Sequence, residues 1–409
     1  LDDPETAFAE IDRVLHAALR YKRPVYLELP RDLIGQPGRA DYRTREVHET
    51  SDELVLKEAL AEAVAMINAA KQPVVLADVE IHRFGLHDEL LQLIERANLP
   101  VAATILGKSV ISEQHPLYLG VYEGAMGRDD VRAYVESSDC VILLGAFLTD
   151  INLGIYTARL DLGRAIYSTS ERLAIRYHSF EHVRFKDFIR GLVDANLTPH
   201  PTGPRPSPPR PREFLPAAVN APVTIARLFE RVNEYLDDHS IVIADVGNAL
   251  FGASDLLIRH RTEFLGPAYY ASMGFAVPAA LGAQLGRPDL RPLVIVGDGA
   301  FQMTGMELGT IARFGLNPVV IVLNNAGYGT ERHIHDGPFN DVAPWQYHRL
   351  PEIFGTGRAF LVKTEQELDH ALDEATRHKS SFCLLDVHLD PLDKSAALGR
   401  LAERLSKKI

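Results

Sequence analysis

The sequence predicts an α/β protein with two open, doubly wound parallel sheets, preceded by a remnant helix and strand of a third unit. Short β-branched apolar runs bounded by turn residues recur along the chain, as in buried parallel strands. Amphipathic stretches at helical spacing separate these runs. A proline-rich interval divides them into two blocks. The expected divisions are 1–36, a central unit at 50–195, a linker at 196–222 and a last domain at 223–409.

Composition narrows the function classes. The 409 residues are 46% hydrophobic and carry a net charge of −12. With no basic stripe to offset it, the acidic excess argues against nucleic acid and anionic membranes as partners. No run approaches the roughly 18 apolar residues of a membrane span. Cys140 and Cys383 lie in apolar strand-like runs. They are expected as buried thiols in a reducing compartment, which predicts a cytoplasmic location.

The first 36 residues are expected to form one helix and one strand. The helix places Ala7, Ile11, Val14, Leu15 and Leu19 on one face. The strand is predicted at 24–30, with a turn at Arg31 and Asp32. One helix and one strand are too little for a domain.

The central unit alternates helices with strands. Helices are predicted at 53–70, 87–97 and 129–136, and strands at 74–76, 101–105 and 140–145. No Gly-x-Gly-x-x-Gly follows its first strand, so a structural role is the default. Asp150 lies just past a strand end. It is a candidate to line the substrate site or, alternatively, to cap the next turn.

The linker contains the run at 204–211, which favours an extended polyproline spacer. The last domain then opens with a helix at 223–237 and a strand at 241–245, after which Asn248 follows at the strand's carboxyl end. A helix at 365–378, a strand at 382–387 and a final helix carrying Leu398, Leu401 and Leu405 on one face complete it.

Two polar turns in this domain carry the chemistry. Gly297, Asp298 and Gly299 follow an apolar run at 293–296, and Asn324–Asn325–Ala326–Gly327 follow another at 319–323. The helix between them is expected to begin at a Thr304-x-x-Glu307 capping box and to end at Gly315. In a right-handed βαβ unit both turns meet at the carboxyl edge of the sheet, where open α/β folds bind ligands.

The residue types in these turns suit magnesium diphosphate. The Asp298 carboxylate, the Asn325 amide oxygen and a backbone carbonyl near Gly327 are hard oxygen ligands for Mg²⁺. Gly297 and Gly299 let backbone N–H groups approach a phosphate closely. Ala300 and Tyr328 stand beside the two turns as further candidate contacts.

Gly-Asp-Gly followed about two dozen residues later by Asn-Asn resembles the signature of thiamine diphosphate enzymes. The stretch at 269–280 resembles a segment of the 2-oxo acid decarboxylases in that class. The resemblance implies that Met273 bends the cofactor and that the carbonyl of Ala271, where the family more often has Gly, accepts its amino group. Asn248 is expected among the cofactor contacts.

The run at 335–340 and the spacing of Glu331 behind Asn325 also resemble the decarboxylases. The resemblance implies that Glu331 assists loss of carbon dioxide and the later protonation. It further implies that the final helix covers the mouth of the site. A homodimer or homotetramer with active sites at subunit interfaces is expected, with no nucleic acid or membrane partner.

By the same resemblance, residues 23–32 correspond to the closing strand of a pyrimidine-binding domain, most of which is missing from these 409 residues. A Glu that activates the cofactor belongs to that domain in the family. The 409-residue chain alone is therefore expected to bind the cofactor weakly and not to turn over.

The predicted reaction is decarboxylation of a small 2-oxo acid to an aldehyde with thiamine diphosphate and Mg²⁺. Aromatic substrates such as phenylpyruvate or indolepyruvate are favoured, because the runs at 79–86 and 299–305 look more like the arylpyruvate enzymes. Pyruvate and branched-chain acids remain open. An acetolactate synthase-like carboligase with a flavin is one alternative, although such enzymes lack the pattern at 331–338. A non-catalytic partner subunit that retains the cofactor site is another.

Overall fold

The computed structural model describes residues 1–44, 49–208, 216–218, 220–259 and 263–406. Elements are numbered in chain order. The predicted first helix is present as α1 (Ala7–Tyr21), although none of its residues is buried. The predicted strand at 24–30 is wrong. That segment pairs with no strand in the described part of the chain, and Tyr26 is 80% exposed. Its alternating pattern therefore lacks the partner strand that a ladder requires.

The first sheet has the strand order β3-β2-β1-β4-β5-β6-β7. Strands β1 to β5 run parallel, and β6 and β7 extend the sheet antiparallel, which the sequence pattern did not predict. The strands are β1 (Pro73–Ala77), β2 (Val101–Ala103), β3 (Tyr118–Val121), β4 (Cys140–Leu144), β5 (Ala165–Ser168), β6 (Leu173–Ile175) and β7 (His178–Phe180).

Both faces of this sheet are buried. Val75 and Ala77 contribute to one apolar core, while Val74 and Leu76 contribute to the other. Such two-sided burial is typical of a doubly wound sheet. The associated helices are α2 (Glu53–Ala69), α3 (Val79–Phe84), α4 (His87–Ala97), α5 (Asp129–Glu136) and α6 (Phe185–Asp194). The three predicted central helices and three predicted strands are confirmed.

The second sheet is parallel throughout, with the order β12-β13-β11-β10-β8-β9. Alternate residues again enter two cores, for example Val294 on one face and Ile295 on the other. The strands are β8 (Ser240–Ala244), β9 (Glu263–Leu265), β10 (Arg291–Gly297), β11 (Val319–Asn324), β12 (Arg358–Val362) and β13 (Cys383–His388). The mixed α/β class with two mostly parallel sheets is confirmed.

The helices around the second sheet are α7 (Ile225–Tyr235), α8 (Asn248–Ala253), α9 (Ala276–Gly286), α10 (Asp298–Thr304), α11 (Leu308–Arg313), α12 (Gly329–Arg332), α13 (Leu350–Phe354), α14 (Glu365–Arg377) and α15 (Ala396–Ser406). The predicted capping box at Thr304 is wrong. The helix already begins at Asp298, and the Thr304 hydroxyl donates to the Gly274 carbonyl at 2.7 Å instead. Gly315 does follow the end of α11 with a φ of 63°.

Both cysteines are free and buried, as predicted. In the described part of the chain, no helix is long and apolar enough to cross a membrane. Residues 209–215 and 219 of the predicted linker lie outside the described residues. The four division boundaries stay predictions.

The second sheet positions the predicted site. The chain leaves β8 for β9 on one side and returns to β10 on the other, so the winding direction changes between β8 and β10. A ligand crevice is expected at the carboxyl ends of strands beside such a switch point. Asp245, Asp298 and Asn325 follow the carboxyl ends of β8, β10 and β11, which are adjacent strands.

Candidate active site

Asp298 lies at the base of the site, at the start of α10, and is only 2% exposed. One of its carboxylate oxygens accepts the Gly299 N–H at 2.7 Å. The other accepts the Gly327 N–H at 3.2 Å, so the carboxylate bridges the two predicted turns. Burial raises the pKa of Asp298 to about 6, while these N–H groups oppose that rise. A buried carboxylate held in place by backbone N–H groups is an oxygen ligand suited to a cation.

The turn that follows β11, which contains Asn325, Ala326 and Gly327, is closely packed against its neighbours. Ala326 has a φ of 57°, and its neighbour Gly327 forms an isolated bridge with Asp341. A Cβ on Gly327 would lie 2.5 Å from the carbonyl oxygen of Asn340. A Cβ on Gly299 would lie 2.4 Å from the ring of Tyr328. Both glycines are therefore required for the backbone to approach so closely.

Asn325 and Asn248 converge on one point, although they are far apart in the chain. A Cβ added to Gly329 would lie 2.7 Å from the amide nitrogen of Asn325 and 3.3 Å from that of Asn248. Asn325 is 7% exposed and Asn248 8% exposed. The Asn248 side chain also accepts the Ser395 N–H at 2.9 Å, which ties the segment before α15 to the site.

Glu331 lies in α12, the short helix that begins directly after these residues. Its side chain is exposed in this structure. The structure therefore brings together Asp298, Asn325, Gly327 and Asn248, and it places Glu331 on the element that follows them.

Met273 and Ala271 lie in a turn between β9 and α9 that is fixed from both sides. The Gly274 N–H donates to Asp245 at 3.2 Å, and the Gly274 carbonyl accepts the Thr304 hydroxyl. Asp245 also accepts the Ala276 N–H at 2.9 Å. Met273 itself is partly buried against an apolar core. Asp298 begins α10 and Thr304 ends it. This helix therefore connects Asp298 to the turn that carries Met273, which is called the Met273 turn below.

Ala271 adopts a left-handed backbone with a φ of 55°. A residue with a Cβ is strained there, whereas glycine is not. The sequence analysis noted the alanine at this position but did not predict its backbone conformation.

The residues present fit a magnesium diphosphate. Gly297, Gly299 and Ala300 present backbone at the start of α10, and a Cβ on Gly297 would meet no atom within 4 Å. Among the described residues no group of three or more His, Cys, Asp or Glu side chains could hold a metal. Asp298, Asn325 and the Gly327 carbonyl would instead offer the cation one carboxylate, one amide and one backbone oxygen.

Sequence reasoning missed several residues that shape the site. Asp245, fully buried, and Thr304 hold the Met273 turn, and Tyr347 packs beneath Asp298. The only available signal was the position of Asp245 at a strand end. Asp150 accepts the Ile151 N–H at 2.9 Å, a bond to its direct neighbour, and its two possible roles stay predictions.

The Asp298 and Asn325 turns lie at the carboxyl ends of two adjacent parallel strands, which agrees with the resemblance to one class, the thiamine diphosphate enzymes. Two family descriptions match this chain. "Thiamine pyrophosphate enzyme, central domain" matches residues 60–166, and "Thiamine pyrophosphate enzyme, C-terminal TPP binding domain" matches residues 245–387. Thiamine diphosphate is thus the cofactor of this protein.

Curated relatives narrow the class further. An indole-3-pyruvate decarboxylase from Azospirillum brasilense is 34% identical over 417 residues, which cover 98% of this chain and 73% of the relative. Alpha-keto-acid decarboxylases from Mycolicibacterium paratuberculosis and Mycobacterium tuberculosis are each 33% identical, covering 98% and 97% of this chain and 72% of each relative. The chain belongs to the thiamine diphosphate-dependent 2-oxo acid decarboxylase family.

Proposed function

We propose that this enzyme converts an aromatic 2-oxo acid, such as indolepyruvate or phenylpyruvate, to the aldehyde and carbon dioxide, with Mg²⁺ anchoring the cofactor. The observation that carries the proposal is the bridge from the Asp298 carboxylate to the Gly327 N–H. It brings the carboxylate ligand and the Asn325 turn to one point at the edge of the sheet. Membership of the decarboxylase family supports the reaction type.

Each site residue has a task in this proposal. Thiamine diphosphate supplies the electron sink for loss of carbon dioxide when bound. Asp298, Asn325 and the Gly327 carbonyl hold Mg²⁺, and the backbone at Gly299 and Ala300 binds the diphosphate. Met273 supports the cofactor rings, and the Ala271 carbonyl accepts the amino group. Asn248 and Tyr328 line the same crevice.

Glu331 is the proposed acid or base. An exposed side chain on a short helix at the edge of the site can reach a substrate in the crevice and exchange protons with solvent. Glu331→Gln keeps the size of the side chain and removes its acidity. In an assembly whose wild-type form is active, we expect this variant to decarboxylate the substrate roughly 10² to 10⁴ times more slowly than wild type. Its affinity for the cofactor should be retained. A rate equal to that of wild type excludes this role.

The aromatic preference is supported by the Azospirillum relative, an indole-3-pyruvate decarboxylase, and by the runs at 79–86 and 299–305. The test compares kcat/KM for indolepyruvate, phenylpyruvate, pyruvate and a branched-chain 2-oxo acid. Highest values for the two aromatic acids support the proposal. A preference for pyruvate contradicts it and leaves the family assignment intact.

We further propose that the 409 residues alone bind thiamine diphosphate weakly and do not turn over, and that a homodimer or homotetramer is the working assembly. Calorimetric titration with thiamine diphosphate and Mg²⁺ measures the first point. Decarboxylation by the purified 409-residue chain contradicts it. Light scattering gives the mass of the assembly, and a monomer that decarboxylates contradicts the second point.

Two alternatives give different results in the same experiments. An acetolactate synthase-like carboligase predicts a flavin absorbance and a carbon–carbon bond-forming product from pyruvate. A non-catalytic partner subunit predicts that Glu331→Gln changes nothing in the assembled enzyme.

A further inference from the structure

Asp386 is a buried carboxylate on β13, the strand directly beside β11. It contacts Asn324, the last residue of β11, just before the turn that carries Asn325. It is fully buried, and one oxygen accepts the side-chain amide N–H of Asn324 at 2.8 Å. The other oxygen accepts the Nδ1–H of His348, also at 2.8 Å. Asn324 is the residue immediately before Asn325, so the contact fixes the backbone that presents the proposed metal ligand.

The segment that supplies His348 also supports the other turn. Residues Tyr347–Arg349 form a 3₁₀ turn, and Tyr347 is 1% exposed. The Tyr347 hydroxyl accepts the side-chain amide of Gln302 at 2.9 Å and lies 3.5 Å from the carbonyl oxygen of Asp298. Its ring packs edge-on against Phe301 of α10, with 5.2 Å between centroids. One turn thus contacts both halves of the site.

We propose that Asp386 is a positioning residue for the magnesium site, acting through Asn324 on Asn325, with His348 holding the carboxylate in place. This inference rests on the proposed function of the site. Partners behind a metal ligand commonly fix its orientation, and losing one typically weakens metal binding about 10–100-fold. None of the residues in this chain of contacts needs to touch the metal or the cofactor.

A purely structural role for Asp386 makes a different prediction. In that case its loss lowers stability and leaves the Mg²⁺ requirement unchanged. The chain contains a matched residue for this comparison. Asp78, at the carboxyl end of β1 in the other sheet, is equally buried and accepts the amide of Asn152 at 2.9 Å.

The experiment measures Mg²⁺ affinity at a fixed concentration of thiamine diphosphate, without using turnover. The single tryptophan, Trp345, lies beside the 3₁₀ turn, with 6.2 Å between its ring centroid and that of Tyr347. Its fluorescence and calorimetry give two independent titrations. We expect Asp386→Ala and Asn324→Ala each to weaken Mg²⁺ binding by about tenfold or more, and the double variant to be no worse than either single variant.

Two further variants complete the design. Asp386→Asn retains an oxygen for Asn324, and its amide can donate to His348 in the other tautomer, so Mg²⁺ affinity should return towards that of wild type. The same amide opposes the His348 backbone N–H, so the melting temperature should stay below that of wild type. Asp78→Ala should lower the melting temperature and leave Mg²⁺ affinity unchanged. If Asp386→Ala does not fold, Asn324→Ala at its partly exposed position still tests the inference.

The outcomes are distinguishable. Wild-type protein that shows no Mg²⁺-dependent binding of thiamine diphosphate overturns the proposed site and this inference together. Normal Mg²⁺ affinity in Asn324→Ala or Asp386→Ala, with Mg²⁺-dependent binding intact in wild type, overturns only the positioning role. Equal losses of Mg²⁺ affinity in Asp78→Ala and Asp386→Ala also overturn it.

Discussion

The buried carboxylate of Asp245 accepts the backbone N–H of Ala276 at 2.9 Å, across 31 positions of the chain. Together with the Gly274 N–H at 3.2 Å, this contact fixes the turn that carries Met273. The carboxyl end of β8 thus sets the backbone position of a residue proposed to support the cofactor rings.

Replacing Asp245 with Asn should loosen this turn. The new amide NH₂ opposes a backbone N–H, and leaving such a buried donor unpaired costs about 1–3 kcal/mol. We expect a lower free energy of unfolding by denaturant and weaker binding of thiamine diphosphate in calorimetry. Asp139→Asn is the control, because Asp139 accepts the Lys71 and Gln72 N–H groups in the other sheet. Unchanged cofactor affinity in Asp245→Asn excludes a role in the site.

A Cβ at position 299 should displace Tyr328, since only 2.4 Å separates the two. Overpacking of this kind costs about 1–3 kcal/mol. If the added methyl group destabilises the cofactor-bound state more than the free state, Gly299→Ala lowers the affinity for Mg²⁺ and thiamine diphosphate by roughly tenfold. Gly282→Ala is the control, because Gly282 lies within α9, has no proposed role in the site, and its Cβ would meet open space. Similar affinities for the two variants contradict the crowding argument.

Ala271 is expected to become less strained when replaced with glycine. The left-handed conformation costs a residue with a Cβ roughly 1–2 kcal/mol, and the greater freedom of glycine in the unfolded chain offsets part of the gain. Ala271→Gly should therefore raise the free energy of unfolding by up to about 1 kcal/mol. Ala279→Gly, within α9, should lower it by about 1 kcal/mol. Thermal denaturation of both variants gives the comparison, and destabilisation by both contradicts it.

Glu123 should make stability depend on pH. It is 1% exposed, and burial raises its pKa from 4.5 to about 7, with nearby Asp255 adding to the rise and Arg400, Ser254 and Lys108 opposing it. The folded state therefore binds more protons than the unfolded state between these values. Its contribution to stability is greatest below pH 4.5 and falls as the pH approaches 7.

Glu123→Gln removes this titration. Relative to the variant, wild type should lose roughly 3 kcal/mol of unfolding free energy between about pH 4.5 and pH 7, measured by denaturant titration at several pH values. Ser254→Ala removes a hydrogen bond that favours the ionised form, so its stability should fall more steeply with pH than that of wild type. Parallel pH profiles for Glu123→Gln and wild type contradict the assignment.

The sequence predicted those parts of the site that depend on local patterns. Apolar runs followed by Asp298 and Asn325 were sufficient to place both turns at one sheet edge. The strand at 24–30 had the right pattern, but pairing needs a neighbour that no local pattern specifies. Likewise, Thr304 has the form of a helix cap, yet its hydroxyl bonds to a carbonyl 30 positions away. Asp245 and Asp386 were overlooked for the same reason, because their partners come from distant segments.

The length of α10 has a consequence for ligand choice. Its seven residues separate Asp298, the proposed metal ligand, from Thr304, whose hydroxyl donates to the Gly274 carbonyl in the turn that carries Met273. At 1.5 Å per residue a helix of this length spans roughly 10 Å. A ligand that contacts both ends of α10 must therefore span roughly this distance. We therefore expect inorganic diphosphate, which is shorter than this distance, to contact only the Asp298 end.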